Sequence, residues 1–73
     1  MLKKRSFSIA GHRTSVALEP EFWAVLEKEA RARKIALAAL IARVDANRAD
    51  RNLASALRVH VLNRALEKPE SAT

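Results

Sequence analysis

Hydrophobic and polar positions alternate over residues 12–18, HRTSVAL, close to the start of the chain. One set of alternate positions points to one side of an extended chain: Thr14, Val16 and Leu18. The intervening set points to the other side: Arg13, Ser15 and Ala17. A period of two residues is typical of a β-strand with one buried face. We therefore predict a strand here, with Val16 and Leu18 facing a hydrophobic core.

The strand leads directly into a predicted helix over residues 20–33. Pro20 suits the first helical turn, and the acids on either side of it suit the positive end of the helix. Its apolar face carries Phe22, Trp23, Val25, Leu26 and Ala30. Glu27–Arg31 and Glu29–Arg33 form i,i+4 pairs on what we expect to be a solvated surface, each contributing roughly 0.2–0.5 kcal/mol.

A second apolar stripe with helical spacing begins at Leu37 and continues through Leu40, Ile41 and Val44. Neither a glycine nor a capping side chain separates this stripe from the preceding helix at residues 34–36. The local signals therefore leave two models open. One has a turn at residues 34–36, and the other has one continuous helix from residue 20 to about 47.

Polar residues 47–52, NRADRN, predict the clearest helix break, with Asp50 or Asn52 capping a third helix over residues 53–66. The apolar face of that helix is broad: Leu53, Leu57, Val59, Val61, Leu62, Ala65 and Leu66. Such a face is too wide for one small neighbour, which indicates packing between two subunits. We expect His60, beside these positions, to be a structural interface histidine.

The predicted strand has no partner of similar quality in the sequence. Residues 1–11 read as a basic arm, in which Phe7 and Ile9 allow at most a weak extended segment before Gly11 breaks it. An unpaired strand leaves backbone donors and acceptors open. A 73-residue chain without cysteine also lacks disulfide bonds to support a small core. Both arguments predict a homodimer whose two copies pair their strands.

The net charge of +6 is concentrated near the start of the chain. Residues 1–18 carry four basic residues and no acid. A concentrated basic footprint favours a polyanionic partner, most plausibly nucleic acid. A basic surface that serves only solubility is the alternative, and it would fit a small helical interaction protein.

Other classes of function find little support in the sequence. It contains no glycine-rich phosphate loop and no arrangement of nucleophile and base, so we expect no enzyme, cofactor, metal site or small-molecule ligand. No apolar run approaches the roughly 20 residues of a membrane span. The first residues do not resemble a signal peptide, so we expect a cytoplasmic protein. Residues 67–73 are predicted to be a disordered tail.

Two blocks of sequence resemble a known family. AGHRTSVALEPEFW followed by NLASALRVHVLNRAL is similar to short stand-alone bacterial ribbon-helix-helix proteins, within the Arc and MetJ repressor superfamily. The resemblance covers about residues 5–66, within a predicted dimerisation and DNA-binding domain of residues 12–66. It implies a mostly α fold with one β-strand, paired across a homodimer, plus a third helix. The paired strands would enter the major groove of double-stranded DNA.

The resemblance also assigns roles to residues. Alternate outward strand positions would read bases: Arg13, Ser15 and Ala17. Phosphates would be bound by the arm, by a lysine near the helix junction and by backbone N–H groups at the start of the second helix: Lys3, Lys4, Arg5, Lys34, Ala36, Leu37 and Ala38. The dimer core would contain Val16, Leu18, Phe22, Trp23, Leu26, Leu40, Ile41, Val44, Leu57 and Val61.

The sequence departs from the family pattern in three places. Lys34 and Ala36 stand where a glycine and a Ser or Thr cap are usual, Ala17 stands where a polar base reader is common, and residues 47–52 interrupt a longer helix. The leading hypothesis is a homodimeric transcriptional repressor, with higher-order assembly on DNA left open. The alternative is an antitoxin, which usually needs a longer extension than the seven residues after Leu66.

Overall fold

The computed structural model describes residues 1–67 of the chain. Its elements, in order, are β1 (Lys3–Ile9), β2 (His12–Leu18), α1 (Pro20–Arg33), α2 (Leu37–Ala46) and α3 (Leu53–Glu67). The fold is mostly α, as predicted, with a two-stranded antiparallel sheet in place of a single strand. The tail predicted for residues 67–73 begins with Glu67, which ends α3, and its other positions lie outside the described residues.

β1 and β2 form a hairpin closed by a two-residue loop, Ala10-Gly11. Both loop residues have positive φ, 51° at Ala10 and 82° at Gly11. Positive φ at both central residues is the mark of a type I′ turn, whose twist matches that of the strands it joins. Glycine tolerates this conformation freely, whereas alanine in the left-handed region costs roughly 1–2 kcal/mol. Pairing of the two strands outweighs that cost.

The prediction that β2 finds no partner within its own chain is wrong. β2 pairs along its full length with β1, from Lys3 opposite Leu18 to Ile9 opposite His12. The segment expected to be a basic arm therefore contains a strand. Consequently, satisfying the backbone of β2 does not require a second copy, and the main argument from the sequence for strand pairing across a homodimer is lost.

Trp23 holds β1 against the first helix. Its indole Nε1 donates a hydrogen bond to the Lys3 carbonyl oxygen at 2.8 Å, and its ring centroid lies 5.9 Å from that of Phe7. The Arg5 guanidinium lies 5.0 Å from the same ring centroid, and its Nη1 is 2.6 Å from Glu27 Oε2. Aromatic and cation–π contacts of this kind each contribute about 0.5–1 kcal/mol. Together they keep β1 in place over α1.

A turn separates α1 from α2, so the model with one continuous helix is wrong. Lys34 adopts the left-handed conformation, with φ 59° and ψ 41°. Its N–H donates to the Arg31 carbonyl, and the N–H of Ile35 donates to the Ala30 carbonyl, both at 3.0 Å. This is the Schellman pattern of a helix end. Ile35 then packs against the core, which supplies the stabilisation that the missing glycine does not.

The break predicted between the second and third helices is confirmed at residues 47–52. Of the two candidate caps, Asn52 occupies the position, because its Oδ1 accepts a hydrogen bond from the N–H of Ser55 at 2.8 Å. A cap of this kind typically contributes about 1 kcal/mol. It fixes the start of α3, so that Leu53 and Leu57 turn into the core.

The hydrophobic core lies between the inner face of the hairpin and the three helices. All ten residues assigned to a dimer core take part in it. Seven are buried within the single chain: Val16, Leu18, Trp23, Leu26, Leu40, Ile41 and Leu57. Three are partly buried and pack against it: Phe22, Val44 and Val61. A second copy is therefore not needed to bury the first seven.

A buried carboxylate joins α1 to α3. Glu29 is 7% exposed, and its Oε1 lies 2.8 Å from His60 Nε2. Its Oε2 lies 2.6 Å from Arg33 Nη2 and 3.6 Å from Arg64 Nε. The expectation of a solvated surface for Glu29 is wrong, because α3 covers it. His60 contacts Glu29 within one chain, and its place at a subunit interface stays a prediction.

Candidate nucleic-acid interface

The hairpin presents one face to the three helices and the other to solvent. The outward positions of β2 are those identified from the alternation: Arg13, Ser15 and Ala17. The outward positions of β1 are Lys4, Ser6 and Ser8. In the register of the sheet, Lys4 lies opposite Ala17, Ser6 opposite Ser15, and Ser8 opposite Arg13. We call these six residues the outer face. Five are exposed and Ala17 is half-buried.

Two serine hydroxyls meet at the centre of the outer face. Ser6 Oγ and Ser15 Oγ lie 2.9 Å apart, within hydrogen-bonding distance across the two strands. A hydroxyl has one proton to donate and two lone pairs to accept with, so the pair retains donor and acceptor capacity toward a third group. The centre of this face is thus polar, small and uncharged.

Positive charge lies toward the two ends of the outer face. Lys4 lies near one end of the hairpin and Arg13 near the turn, and neither forms an ion pair within residues 1–67. No acid occurs in residues 1–18. Both cations are therefore free to attract an anion, and the strands that carry them contain no competing carboxylate.

The other basic residues of the predicted arm are placed differently. Arg5 points to the inner side of β1, where Glu27 and Trp23 engage its guanidinium. The sequence predicts for Arg5 a segment without fixed structure and a contact with phosphate. Its guanidinium is paired with Glu27 instead, so Arg5 is not part of the candidate interface. Lys3 has an exposed side chain, but alternation places it on the opposite side of the strand from Lys4.

The predicted phosphate site at the start of α2 has free backbone donors. Ala36 is the N-cap residue, with φ −68° and ψ 150°, and no side chain caps the helix. Within residues 1–67, the N–H groups of Ala36, Leu37 and Ala38 donate to no acceptor. A cleft of about 420 Å³, lined in part by Arg5 and Leu37, lies between β1 and this end of α2. The helix N-terminus thus adjoins the hairpin.

Sequence reasoning missed Ser6 and Ser8 as members of this face and treated Lys4 only as part of a flexible arm. The signal that identifies them is the arrangement of two runs with period two, separated by two residues of which the second is glycine. That arrangement is typical of a β-hairpin. The weaker alternation of β1, in which Arg5 takes an inner position, concealed it.

The junction between β2 and α1 is tied to α3. Arg58 Nη2 lies 3.1 Å from Glu19 Oε1, and its guanidinium lies 5.8 Å from the ring centroid of Phe22. The pKa of the Glu19 carboxyl lies below its usual 4.5, first because of a hydrogen bond with its own backbone and then because of Arg58. This contact links the end of β2 and the start of α1 to α3.

Some kinds of site are absent from the described part of the chain. Residues 1–67 contain no group of three or more histidine, cysteine, aspartate or glutamate side chains placed to hold a metal ion. None of the helices within the same range has the length and apolar character needed to cross a membrane.

Comparison with known proteins identifies the family. A model of the ribbon-helix-helix domain matches residues 2–65, which include both strands and nearly all of the three helices. The chain therefore belongs to the ribbon-helix-helix family, whose members are DNA-binding regulators and not enzymes. Neither the curated proteins nor the solved structures provided a match. The hairpin is thus a structural feature of a DNA-binding regulatory protein.

Proposed function

We propose that the protein is a transcriptional repressor that acts by occupying duplex DNA, with the outer face of its hairpin in the major groove. The observation that carries this proposal is the outer face itself. It is a narrow, exposed ribbon with small polar side chains at its centre, a cation toward each end and no acid on either strand. A two-stranded ribbon fits the major groove, where base edges present distinct donors and acceptors.

The three outward side chains of β2 would divide the work of recognition. Arg13 has a guanidinium whose planar fork matches O6 and N7 of guanine, the commonest specific contact of this kind. Ser15 can donate to or accept from one base edge. Ala17 can offer only an apolar contact, for which the thymine methyl group is the suitable partner.

Phosphates would be contacted on either side of the ribbon. The free N–H groups of Ala36, Leu37 and Ala38 lie at the positive end of α2, which favours a bound anion. Lys34 is exposed just before that end and can add its charge, as Lys3 can beside the hairpin. Such contacts position the protein on DNA without reading its sequence.

We further propose that the protein is a homodimer, as ribbon-helix-helix proteins typically are. With strand pairing satisfied inside the chain, the best surface is an apolar groove of about 360 Å³ between α1 and α3. Phe22 and Val61 line it, and Leu62 beside them is 55% exposed. Arg58, its charged member, is paired with Glu19. No net charge therefore repels an identical copy across a two-fold axis.

DNA binding is tested by fluorescence anisotropy, with a labelled duplex titrated at several salt concentrations. We expect the logarithm of the binding constant to fall linearly with the logarithm of the salt concentration, because counterions are released from phosphates. We also expect one family of sequences, selected from a randomised duplex library, to bind more tightly than random DNA. Absence of binding at low salt would identify the basic surface as a solubility feature and refute the proposal.

The dimer is tested by sedimentation of the wild type and of Leu62→Arg. Placing an arginine in the apolar groove sets like charges against each other across the two-fold axis, so we expect this variant to be a monomer. Ala46→Arg is the matched control, since it adds the same charge at the exposed end of α2. A wild-type monomer at micromolar concentration, or an unaltered Leu62→Arg dimer, would contradict this assignment.

A further inference from the structure

A cleft between the helices has the composition of an anion-binding site. Its volume is about 400 Å³, which is within the usual range of ligand pockets. Within residues 1–67, no acidic residue lines the cleft, whereas four arginines do: Arg33, Arg43, Arg48 and Arg51. We propose that this cleft binds a small organic anion, in which a carboxylate or a phosphate ester is carried on an apolar body.

The cleft lies apart from the proposed DNA-binding surface. In the described part of the chain, its lining residues all come from the end of α1, from α2, from the loop at residues 47–52 and from α3. The phosphate site at the start of α2 is also separate, because the α2 residues in the cleft are Leu40, Arg43 and Val44. The inference therefore adds a ligand to the proposed function and does not depend on it.

Two of the four arginines are engaged by carboxylates of the same chain. Arg48 Nε lies 2.7 Å from Asp45 Oδ1, and Arg33 Nη2 lies 2.6 Å from Oε2 of the buried Glu29. Arg48 Nη1 also donates a hydrogen bond to the Arg51 carbonyl oxygen at 2.7 Å. These contacts hold the end of α1 and the loop after α2 in place as walls of the cleft.

The other two arginines keep their charge for a ligand. Arg43 and Arg51 are exposed, and neither forms an ion pair within residues 1–67. An arginine in the last turn of α2, such as Arg43, complements the negative end of the helix dipole. Arg51 lies outside the helices, so this explanation does not extend to it. Guanidinium groups bind carboxylate and phosphate oxygens through paired N–H donors, and two unpaired arginines at one cleft favour such an anion.

The cleft also has an apolar part, which a bare inorganic anion would not use. Leu40 and Ala56 are buried, and Val44 and Val59 are half-buried. They lie deeper than the exposed arginines, so the ligand needs an apolar body as well as a charged group. Asn63, which is exposed on α3, adds an amide that can donate to the ligand or accept from it.

Binding is tested by isothermal titration calorimetry of the wild type with three probes at constant ionic strength. Phenyl phosphate has both the anion and an apolar ring, inorganic phosphate has only the anion, and phenol has essentially only the ring. We expect phenyl phosphate to bind roughly tenfold or more tightly than either of the others, because it buries apolar area and pairs with arginine at once. Absence of phenyl phosphate binding, or an affinity no higher than that of inorganic phosphate or phenol, would overturn the proposal.

Side-chain amide signals in nitrogen–proton NMR spectra locate the bound probe. The chain contains three asparagines and no glutamine. Asn47 and Asn63 line the cleft, whereas Asn52 caps α3 through a hydrogen bond from the Ser55 N–H. We expect the Asn47 and Asn63 signals to shift on titration with phenyl phosphate and the Asn52 signal to stay in place. Unshifted signals from both Asn47 and Asn63 would put the probe elsewhere and refute the proposed site.

The role of the unpaired arginines is tested by single substitutions. Arg43→Ala and Arg51→Ala should each weaken phenyl phosphate binding by roughly fivefold or more, since each removes a charged donor of the site. Arg31→Ala is the matched control, because Arg31 is an exposed arginine of α1 that does not line the cleft and forms no ion pair within residues 1–67. It should leave the affinity unchanged. Equal losses in all three variants would mean that net charge alone attracts the probe, against the proposal.

The same variants separate this ligand from DNA. If phenyl phosphate does not bind, while Arg43→Ala and Arg51→Ala weaken binding to a random duplex, the two arginines contact DNA phosphates. The ligand site is then refuted and the proposed function stands. If phenyl phosphate binds in the cleft but the wild type does not bind duplex DNA, the ligand site stands and the proposed function fails.

Discussion

The two faces of the hairpin contain the same kinds of residue and use them differently. Arg5 and Arg13 are both on the basic N-terminal strands, yet Arg5 lies 2.6 Å from Glu27 and over Trp23, whereas Arg13 is exposed and without an ion-pair partner in residues 1–67. What separates them is the side of the strand on which each lies. The net charge of a segment therefore overstates the charge that a ligand can reach. The side of the strand on which each basic residue lies shows which charges are accessible.

The comparison is tested most severely by placing the same new charge on each face. Val16 is 4% exposed, and Val16→Asp puts a carboxylate in the core without a partner. An uncompensated buried charge costs about 3–5 kcal/mol. A chain of this size has a total stability of only about 4–11 kcal/mol. We expect Val16→Asp to be largely unfolded, as measured by circular dichroism and urea denaturation.

Ser15→Asp is the control, one residue away on the outer face. Exposed substitutions usually change stability by less than about 0.5 kcal/mol. This variant should therefore fold normally, and it should lose DNA affinity because its charge repels phosphates. Equal destabilisation by the two variants would mean that the outer face is buried in the functional protein, contrary to its assignment as the DNA-binding face.

The next test replaces each of the two arginines with alanine, in separate variants. Arg13→Ala should raise the free energy of binding to the selected duplex by about 1–3 kcal/mol and flatten discrimination between sites. Its stability should be unchanged. Arg5→Ala should instead lower the free energy of unfolding by roughly 1 kcal/mol, through loss of a partly exposed ion pair and a cation–π contact.

Anisotropy on selected and random duplexes decides the role of Arg13. If Arg13→Ala weakens both duplexes by the same factor, its guanidinium binds a phosphate and Ser15 becomes the main base reader of β2. A loss of discrimination in Arg5→Ala, with the fold intact, would show that the inner face contributes to reading, and the contrast between the faces would disappear.

A smaller effect, on the free energy of unfolding, is expected at the start of α2, where the proposed DNA contact is made by backbone N–H groups alone. Ala36→Ser supplies the missing side-chain cap of α2 and should raise the free energy of unfolding by roughly 0.5–2 kcal/mol. Ala38→Ser introduces the same residue inside the first turn, where serine is a slightly poorer helix former than alanine. It should give no gain. Thermal melts of both variants measure the difference, and equal melting temperatures would show that residue 36 does not cap α2.

The smallest expected effect concerns pH. The folded pKa of Glu19 lies below its usual 4.5, because its carboxylate is hydrogen bonded to its own backbone and faces Arg58. The stability that this contact contributes is therefore present above pH 4.5 and is lost as the pH falls through the lower folded value. In Glu19→Gln, the drop in melting temperature between pH 6 and pH 3 should be smaller than in the wild type. An identical drop in the two proteins would show that protonation of Glu19 does not contribute to the loss of stability at low pH.

Much of the fold follows from patterns within the sequence. The strand at residues 12–18, the helix starting at Pro20 and the break at residues 47–52 are all confirmed within a residue or two. Each has a strong local signal: period two, a proline in the first turn, or a run of polar residues. The outward positions of β2 followed from the same alternation.

The remaining features depend on contacts between distant residues, which local patterns do not reveal. β1 is held by Trp23, and an arginine at one of its inner positions hid its alternation. The turn at Lys34 lacks a local signal because packing of Ile35 stabilises it. Glu29 looked like a surface residue because the residues that cover it, His60 and Arg64, lie on the last helix.

The pairing between the two strands of the sheet is local along the chain. The most distant paired residues are Lys3 and Leu18, and Trp23 follows shortly after, so the whole ribbon and its anchor are synthesised before any of α2 or α3. At about 5–20 residues per second, the later helices appear seconds after this segment, whereas a hairpin forms in about 1–10 μs. A hairpin alone is only marginally stable in water. The nascent hairpin therefore opens and closes many times before α3 is synthesised. Contacts of α3 with Glu29 then hold α1 and α3 together against the hairpin.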